Sequence, residues 1–249
     1  MDNNLPGVGG TGERLGNELD GWRVEEYGRS RGDLPLRVFL PVGDVPLAGL
    51  LTAGQHGEEA DTTLLVRRLL ERVPGAETRW AVIPVLNPDG LLAGTRQNAA
   101  GVDLNRNFAS STWEPAATFT FPPGIDPELR VLANRTNRSS PGAHAGSEPE
   151  TQALIALIER LDPPLVVDLH SPLELIFVRG DVPSELTEGL AHSAALPYQN
   201  QFVGHCPGAF DDWLIERDTP VLVYEIEHAG LPALCARHLS GLEAMLRGH

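Results

Sequence analysis

Cysteine, basic charge and long apolar runs are all scarce in this chain of 249 residues. Two cysteines, Cys206 and Cys235, are too few for a disulfide framework, so they are read as reduced thiols and the fold must rest on its core. Nineteen Lys and Arg face 34 Asp and Glu, for a net charge of −15. That balance argues against a nucleic-acid partner and against an anionic membrane surface, since phosphate binding needs clustered cations. It leaves an anionic small substrate open, because one local arginine can dominate a pocket. No stretch approaches the ~18 apolar residues of a membrane span. The N-terminus has no basic segment followed by an apolar run, so a cytoplasmic protein is expected.

What is present is ordinary for a globular domain: 41% hydrophobic and 21% charged residues. A chain of this length buries roughly 70–75% of its unfolded surface on folding. Residues 1–20, rich in Gly, Asn and Asp, read as a loose tail. Residues 21–249 read as one domain.

Apolar runs at 36–42, 47–53, 79–86, 165–170, 173–178 and 220–227 read as strands. Helices are expected over 59–73, 147–161, 183–194, 208–217 and 231–247. In the first, Leu64, Leu65, Leu69 and Leu70 sit near helical spacing, with Arg67, Arg68, Glu71 and Arg72 opposite. Ser147 and Glu150 have the spacing of a capping box. The stretch 87–146 is long and aperiodic, and loops of that length are usually functional. Strands alternating with helices give an α/β class: a three-layer sandwich around a mixed, largely parallel central sheet.

Two segments carry chemistry. Residues 54–59 read Gly-Gln-His-Gly-Glu-Glu, which places His56 and Glu59 just after an apolar run. Residues 165–171 read Leu-Val-Val-Asp-Leu-His-Ser, with His170 closing a second run. Alone, either histidine suits a hydrogen-bonded core position. Together they lie where open α/β sheets bind ligands, beyond the carboxyl ends of strands. Two imidazoles and a carboxylate form the ligand set of a catalytic zinc site with one position open. Asn87-Pro88-Asp89-Gly90 is made of turn formers. In Gly101-Val102-Asp103-Leu104-Asn105-Arg106-Asn107-Phe108, Arg106 between two Asn suits either a carboxylate-binding fork or a solvated loop.

Taken in order, these segments resemble the zinc carboxypeptidases. Gly-Ser-Glu-Pro-Glu-Thr-Gln-Ala-Leu at 146–154 and Pro-Gly-Ala-Phe-Asp-Asp-Trp at 207–213 resemble the murein peptide amidase branch in particular. The resemblance spans roughly residues 22–247. It implies one zinc ion held by His56, Glu59 and His170, with Asp103 orienting a ligand imidazole. It implies Asn105 and Arg106 on a substrate carboxylate and Arg96 on substrate or the developing oxyanion. Glu225 would be the general base, preferred over Glu227 because Gly230 completes the family's Glu-x-x-x-x-Gly spacing. Two positions depart from the family: Ala93 stands where an arginine is common, and His205 takes the place of a mobile tyrosine. Glu174 or Asp181 could read the ammonium of a diaminopimelate side chain.

The implied activity is hydrolysis of an amide next to a carboxylate-bearing residue, most specifically the γ-D-glutamyl–diaminopimelate bond of muropeptides. The alternatives are a deacylase of N-acyl amino acids, as in aspartoacylase-like and succinylglutamate desuccinylase-like enzymes, and a general metallocarboxypeptidase. A small peptide or muropeptide is the expected partner. The sequence does not speak to oligomeric state.

Overall fold

The computed structural model describes residues 21–116, 140–200 and 206–248. The expected tail at 1–20, much of the loop at 109–146 and His205 lie outside them. The described residues centre on an eight-stranded mixed sheet. Its strands are β1 (Arg23–Arg29), β2 (Pro35–Leu40), β3 (Gly49–Thr52), β4 (Trp80–Ile83), β5 (Val166–His170), β6 (Leu175–Arg179), β7 (Tyr198–Gln199) and β8 (Val221–Glu225). The spatial order is β1-β2-β4-β3-β5-β8-β6-β7. Strands β4, β3, β5 and β8 form a parallel centre, flanked by antiparallel pairings of β2 with β4 and of β6 with β8.

Strand alternation builds the two faces. Leu51, Val82, Val167, Leu169, Leu222 and Tyr224 point to one side. There they meet α1 (Ala60–Arg72), α4 (Ser184–Ala194) and α6 (Leu231–Arg247). Leu50, Ile83, Val166, Phe177, Val221 and Val223 point to the other, against α3 (Pro149–Leu161) and α5 (Phe210–Ile215). Each fully buried Leu or Ile stabilises by about 1.5–3 kcal/mol, and both layers are lined with them. Cys206 and Cys235 are free thiols. No helix among the described residues is long and apolar enough to cross a membrane.

Several local expectations need correction. Leu64 is 47% exposed, and the buried stripe of α1 runs through Leu65, Val66, Leu69 and Leu70 instead. Asn87-Pro88-Asp89-Gly90 starts a helix, α2 (Pro88–Ala93), rather than a simple turn. The Asn87 side chain accepts from Gly90 N at 2.9 Å, and Pro88 needs no partner for its missing N–H. The capping box at 147–150 does not form. Glu148 is the N-cap of α3, Ser147 Oγ donates to Glu148 Oε1, and Glu150 accepts from Arg31 N and Asn98 Nδ2. Tertiary donors outcompete the local motif.

Candidate metal centre and active site

The carboxyl ends of the parallel strands bring the distant segments together. After β3 the chain turns at Gly54, whose φ of +64° suits glycine. Gly54 N donates to Thr62 Oγ1, and Asn87 N donates to Gly54 O. This loop delivers His56 and then Glu59, the N-cap residue of α1. Gly57 is pressed against α2: a Cβ there would lie 1.9 Å from Gly90 C. On β5, Asp168 and His170 share a face at i and i+2, and His170 pairs in register with Glu225 at the end of β8.

His56, Glu59 and His170 are buried, and their ligand atoms lie within 4.8 Å of one another. Both histidines present Nδ1 to the same carboxylate. His56 Nδ1 is 2.6 Å from Glu59 Oε1, and His170 Nδ1 is 3.0 Å from Glu59 Oε2. The far nitrogens meet two further acids. His170 Nε2 hydrogen-bonds Asp168 Oδ2 at 2.9 Å. His56 Nε2 lies 3.2 Å from Asp103 Oδ1, a close electrostatic contact rather than an aligned hydrogen bond. Asp168 is itself fixed by Thr52 Oγ1 at 2.6 Å. Metal-bound imidazoles are held in this way, the outer nitrogen given to a carboxylate so that the inner one keeps its lone pair for the ion.

The electrostatics point the same way. Burial alone would lower the His170 pKa, but Asp168 and Glu59 raise it well above the ordinary imidazole value. Burial also disfavours the Glu59 anion, yet the neighbouring His56 and His170 hold it below the usual range. Asp103 is likewise buried and still held low by Arg96, Arg106 and His56. With neutral imidazoles, Glu59, Asp103, Asp168 and Glu225 outweigh Arg96 and Arg106 in charge. A pocket that draws protons onto a buried imidazole is one that a cation would fill, and the donor set of two nitrogens and a carboxylate fits zinc.

Arg96 joins the cluster. Its Nε donates to Asp103 Oδ2 at 2.8 Å, its Nη1 is 3.7 Å from Glu59 Oε1, and its side chain is 12% exposed. Glu225 stands beside the histidines. Leu173 N donates to its Oε2 at 3.2 Å, and burial pushes its pKa up to about 7, with Glu59 adding to the shift. Asn105 Oδ1 accepts from Phe210 N at 2.8 Å, which docks the start of α5 on this segment. Arg106 lies below the surface, 1% exposed, with Nη1 donating to Asn105 O.

Other candidates are placed elsewhere. Glu227 lies past the end of β8 and pairs with His238 Nε2 at 2.6 Å, away from the cluster. Glu174 is engaged by Arg237 at 2.9 Å, and Asp181 is exposed. Asp168 was missed by sequence reasoning, although Asp-Leu-His at the end of an apolar run puts both polar side chains on one strand face. Asn107, read beside Arg106 as part of a fork, instead pins the start of α3. It donates to Pro141 O and accepts from Glu148 N.

A mixed sheet whose parallel centre ends in two oriented imidazoles and a carboxylate, with a glutamate alongside, defines a metal-dependent hydrolase. Residues 48–202 match the zinc carboxypeptidase family model. Murein peptide amidase A of Escherichia coli strain K12 is 33% identical over 227 residues, covering 91% of this chain and 90% of that protein. Murein peptide amidase A of Vibrio campbellii is 32% identical over 221 residues, covering 89% and 86%. The crystal structure of the murein-tripeptide amidase of Escherichia coli O157 superposes with a TM-score of 0.79 at 32% identity, covering 91% of this chain and 92% of that one. The chain belongs to the zinc carboxypeptidase family; it is a zinc hydrolase with that family's fold.

Proposed function

We propose that this chain is a zinc-dependent amidase that cuts muropeptides at the γ-D-glutamyl–diaminopimelate bond, with His56, Glu59 and His170 holding the ion. The observation that carries the reading is the convergence of both Nδ1 atoms on Glu59, with each outer nitrogen facing a buried acid. The similarity to murein peptide amidases over nine-tenths of the chain supports the substrate class.

Zinc bound there supplies Lewis-acid activation of a water and of the scissile carbonyl. The remaining work falls to the protein. Glu225, buried beside the histidines with its pKa raised by that burial, is placed to take a proton and return it to the leaving amine once drawn back towards the anion by the nearby cation. Leu173 N–H fixes one of its oxygens and so aims the other. Arg96 is held by Asp103 at the edge of the cluster, where its guanidinium can meet charge developing on the carbonyl oxygen. Asn105 and Arg106 supply donors for the carboxylate of the leaving residue, and His205 adds a further donor to substrate.

The test is mass spectrometry of the products from a tripeptide containing γ-D-glutamyl–diaminopimelate, with hippuryl peptides as the comparison. The expected result is release of free diaminopimelate and little action on the hippuryl series. Glu225→Gln should bind zinc yet lose hydrolysis by about 10³-fold or more. Intact tripeptide after prolonged incubation, or preference for hippuryl peptides, would overturn the substrate. Full activity in Glu225→Gln would overturn the base.

A further inference from the structure

A second buried polar chain lies on the reverse side of β8, outside the cluster described above. Tyr224 immediately precedes Glu225, and strand alternation turns it to the opposite face of the sheet. Its hydroxyl meets His238 Nδ1 at 2.9 Å. His238 is fully buried in α6, and its other nitrogen meets Glu227 Oε2 at 2.6 Å. Burial lowers the His238 pKa and favours the neutral ring. Since a carboxylate only accepts, Nε2 carries the proton to Glu227 and Nδ1 accepts from the Tyr224 hydroxyl. The adjacent residue of α6, Arg237, extends the chain. Its Nη1 lies 3.0 Å from Glu227 Oε2 and 2.9 Å from Glu174 Oε2, while its Nε donates to Ala194 O at 2.8 Å.

The points at which this chain touches the backbone are informative. Tyr224 and Glu227 bracket Glu225, one residue before and two after. Glu174 directly follows Leu173, whose amide donates to Glu225 Oε2. Glu174 has a φ of +51°, in the left-handed region that a residue with a Cβ enters only when held there. Ile226 N donates to His170 O, so the same strand end is also tied to the candidate ligand strand. Two neighbouring residues on one turn of α6 therefore grip both the segment that carries the carboxylate and the loop that carries its amide donor.

Resting on the reading of Glu225 as the base, we infer that Arg237 and His238 are positioning residues: together they hold Glu225 and the Leu173 amide in mutual register. Neither touches the reacting atoms. Displacement of a catalytic group by about 1 Å can cost on the order of 10²-fold in rate, so loosening this clamp slows turnover without weakening substrate or zinc binding.

Arg237 is partly exposed, so its replacement is the gentler probe. In zinc-loaded Arg237→Gln, kcat should fall about 10- to 100-fold while KM and zinc stoichiometry stay within about twofold of wild type. The amide exchange of Leu173, followed by NMR, should quicken about tenfold as its acceptor is lost. Arg237→Lys, which keeps one cation between Glu174 and Glu227, should recover most of both. Glu174→Gln should show the same pattern from the other end and serves if Arg237→Gln folds poorly. Wild-type kcat together with wild-type Leu173 exchange in both variants would overturn the inference. So would a loss of kcat that Arg237→Lys does not recover and that leaves Leu173 exchange unchanged. If Glu225→Gln is fully active, the base itself is misassigned and the inference falls with it. If Glu225→Gln is inactive while Arg237→Gln behaves as wild type, the positioning role alone falls.

Discussion

A histidine becomes a metal ligand or a core residue according to what its far nitrogen meets. His170 gives Nε2 to Asp168, which Thr52 in turn fixes. His56 turns Nε2 toward Asp103. Asp103 was legible only through family resemblance, and Asp168 was not read at all, although its i, i+2 spacing to His170 on one strand placed both side chains on the same face. Replacing Asp168 by Asn keeps the shape but removes the charge. The expected effect is a 10–100-fold loss of zinc affinity, measured by competition with a chelator, on the general scale of such outer partners. Unchanged affinity would leave Asp168 with a purely structural role. The pH profile is a second residue-scale test. Glu225 acts only when ionised, and burial raises its pKa to about 7. A bound cation favours the anion and draws that value down. The acid limb of kcat/KM should therefore turn between the ordinary glutamate value of about 4.3 and about 7, with activity lost as pH falls through it. A profile flat down to pH ~4 would contradict the assignment of the base.

Among the elements, those with strong periodicity were legible and those shaped by partners were not. Helix α6 falls at 231–247 as expected, its ends marked by Gly230 with Pro232 and by Gly248. The apolar runs gave β3, β4, β5 and β8 within a few residues. Strand β1, Arg-Val-Glu-Glu-Tyr-Gly-Arg, went unread because it is a half-exposed edge strand without an apolar run, and its pairing slips between Glu26 and Gly28. Strand β7 is two residues long and too short to signal itself. The expected strand at 220–227 stops at Glu225, which is why two glutamates that would share one face end in different surroundings. Two glycines test the packing between elements in opposite directions. Gly57→Ala must drive a Cβ into Gly90 and the Leu91 amide, 1.9 and 2.2 Å away. Helix α2 or the ligand loop has to move, so the expected outcome is a lower thermal midpoint and weaker zinc retention. Gly189 sits inside α4, and a methyl group added there would find no neighbour within 4 Å. Gly189→Ala should stabilise by about 0.4–1 kcal/mol, read from chemical denaturation. The opposite order of the two variants would contradict the packing described.

On the scale of the whole molecule, the sheet explains why residues so far apart in sequence meet. Parallel β3, β5 and β8 end on one side, and each contributes at its carboxyl end or in the loop after it: His56 with Glu59, His170 with Asp168, and Glu225. The two histidines and Glu59 followed from apolar runs ending in polar residues; Glu225 followed only from the family resemblance, and Asp168 was not read. The other partners that orient them did not follow from such runs, since they come from α6, from the 103–106 segment and from loops whose positions only the packed fold decides. The central claim is that three side chains share one ion. It is tested most directly by zinc content after exhaustive dialysis, measured by plasma mass spectrometry on wild type and on the His56→Ala, Glu59→Ala and His170→Ala variants. One zinc per wild-type chain and almost none in each folded variant is the predicted result. Equimolar zinc retained in all three variants would contradict it.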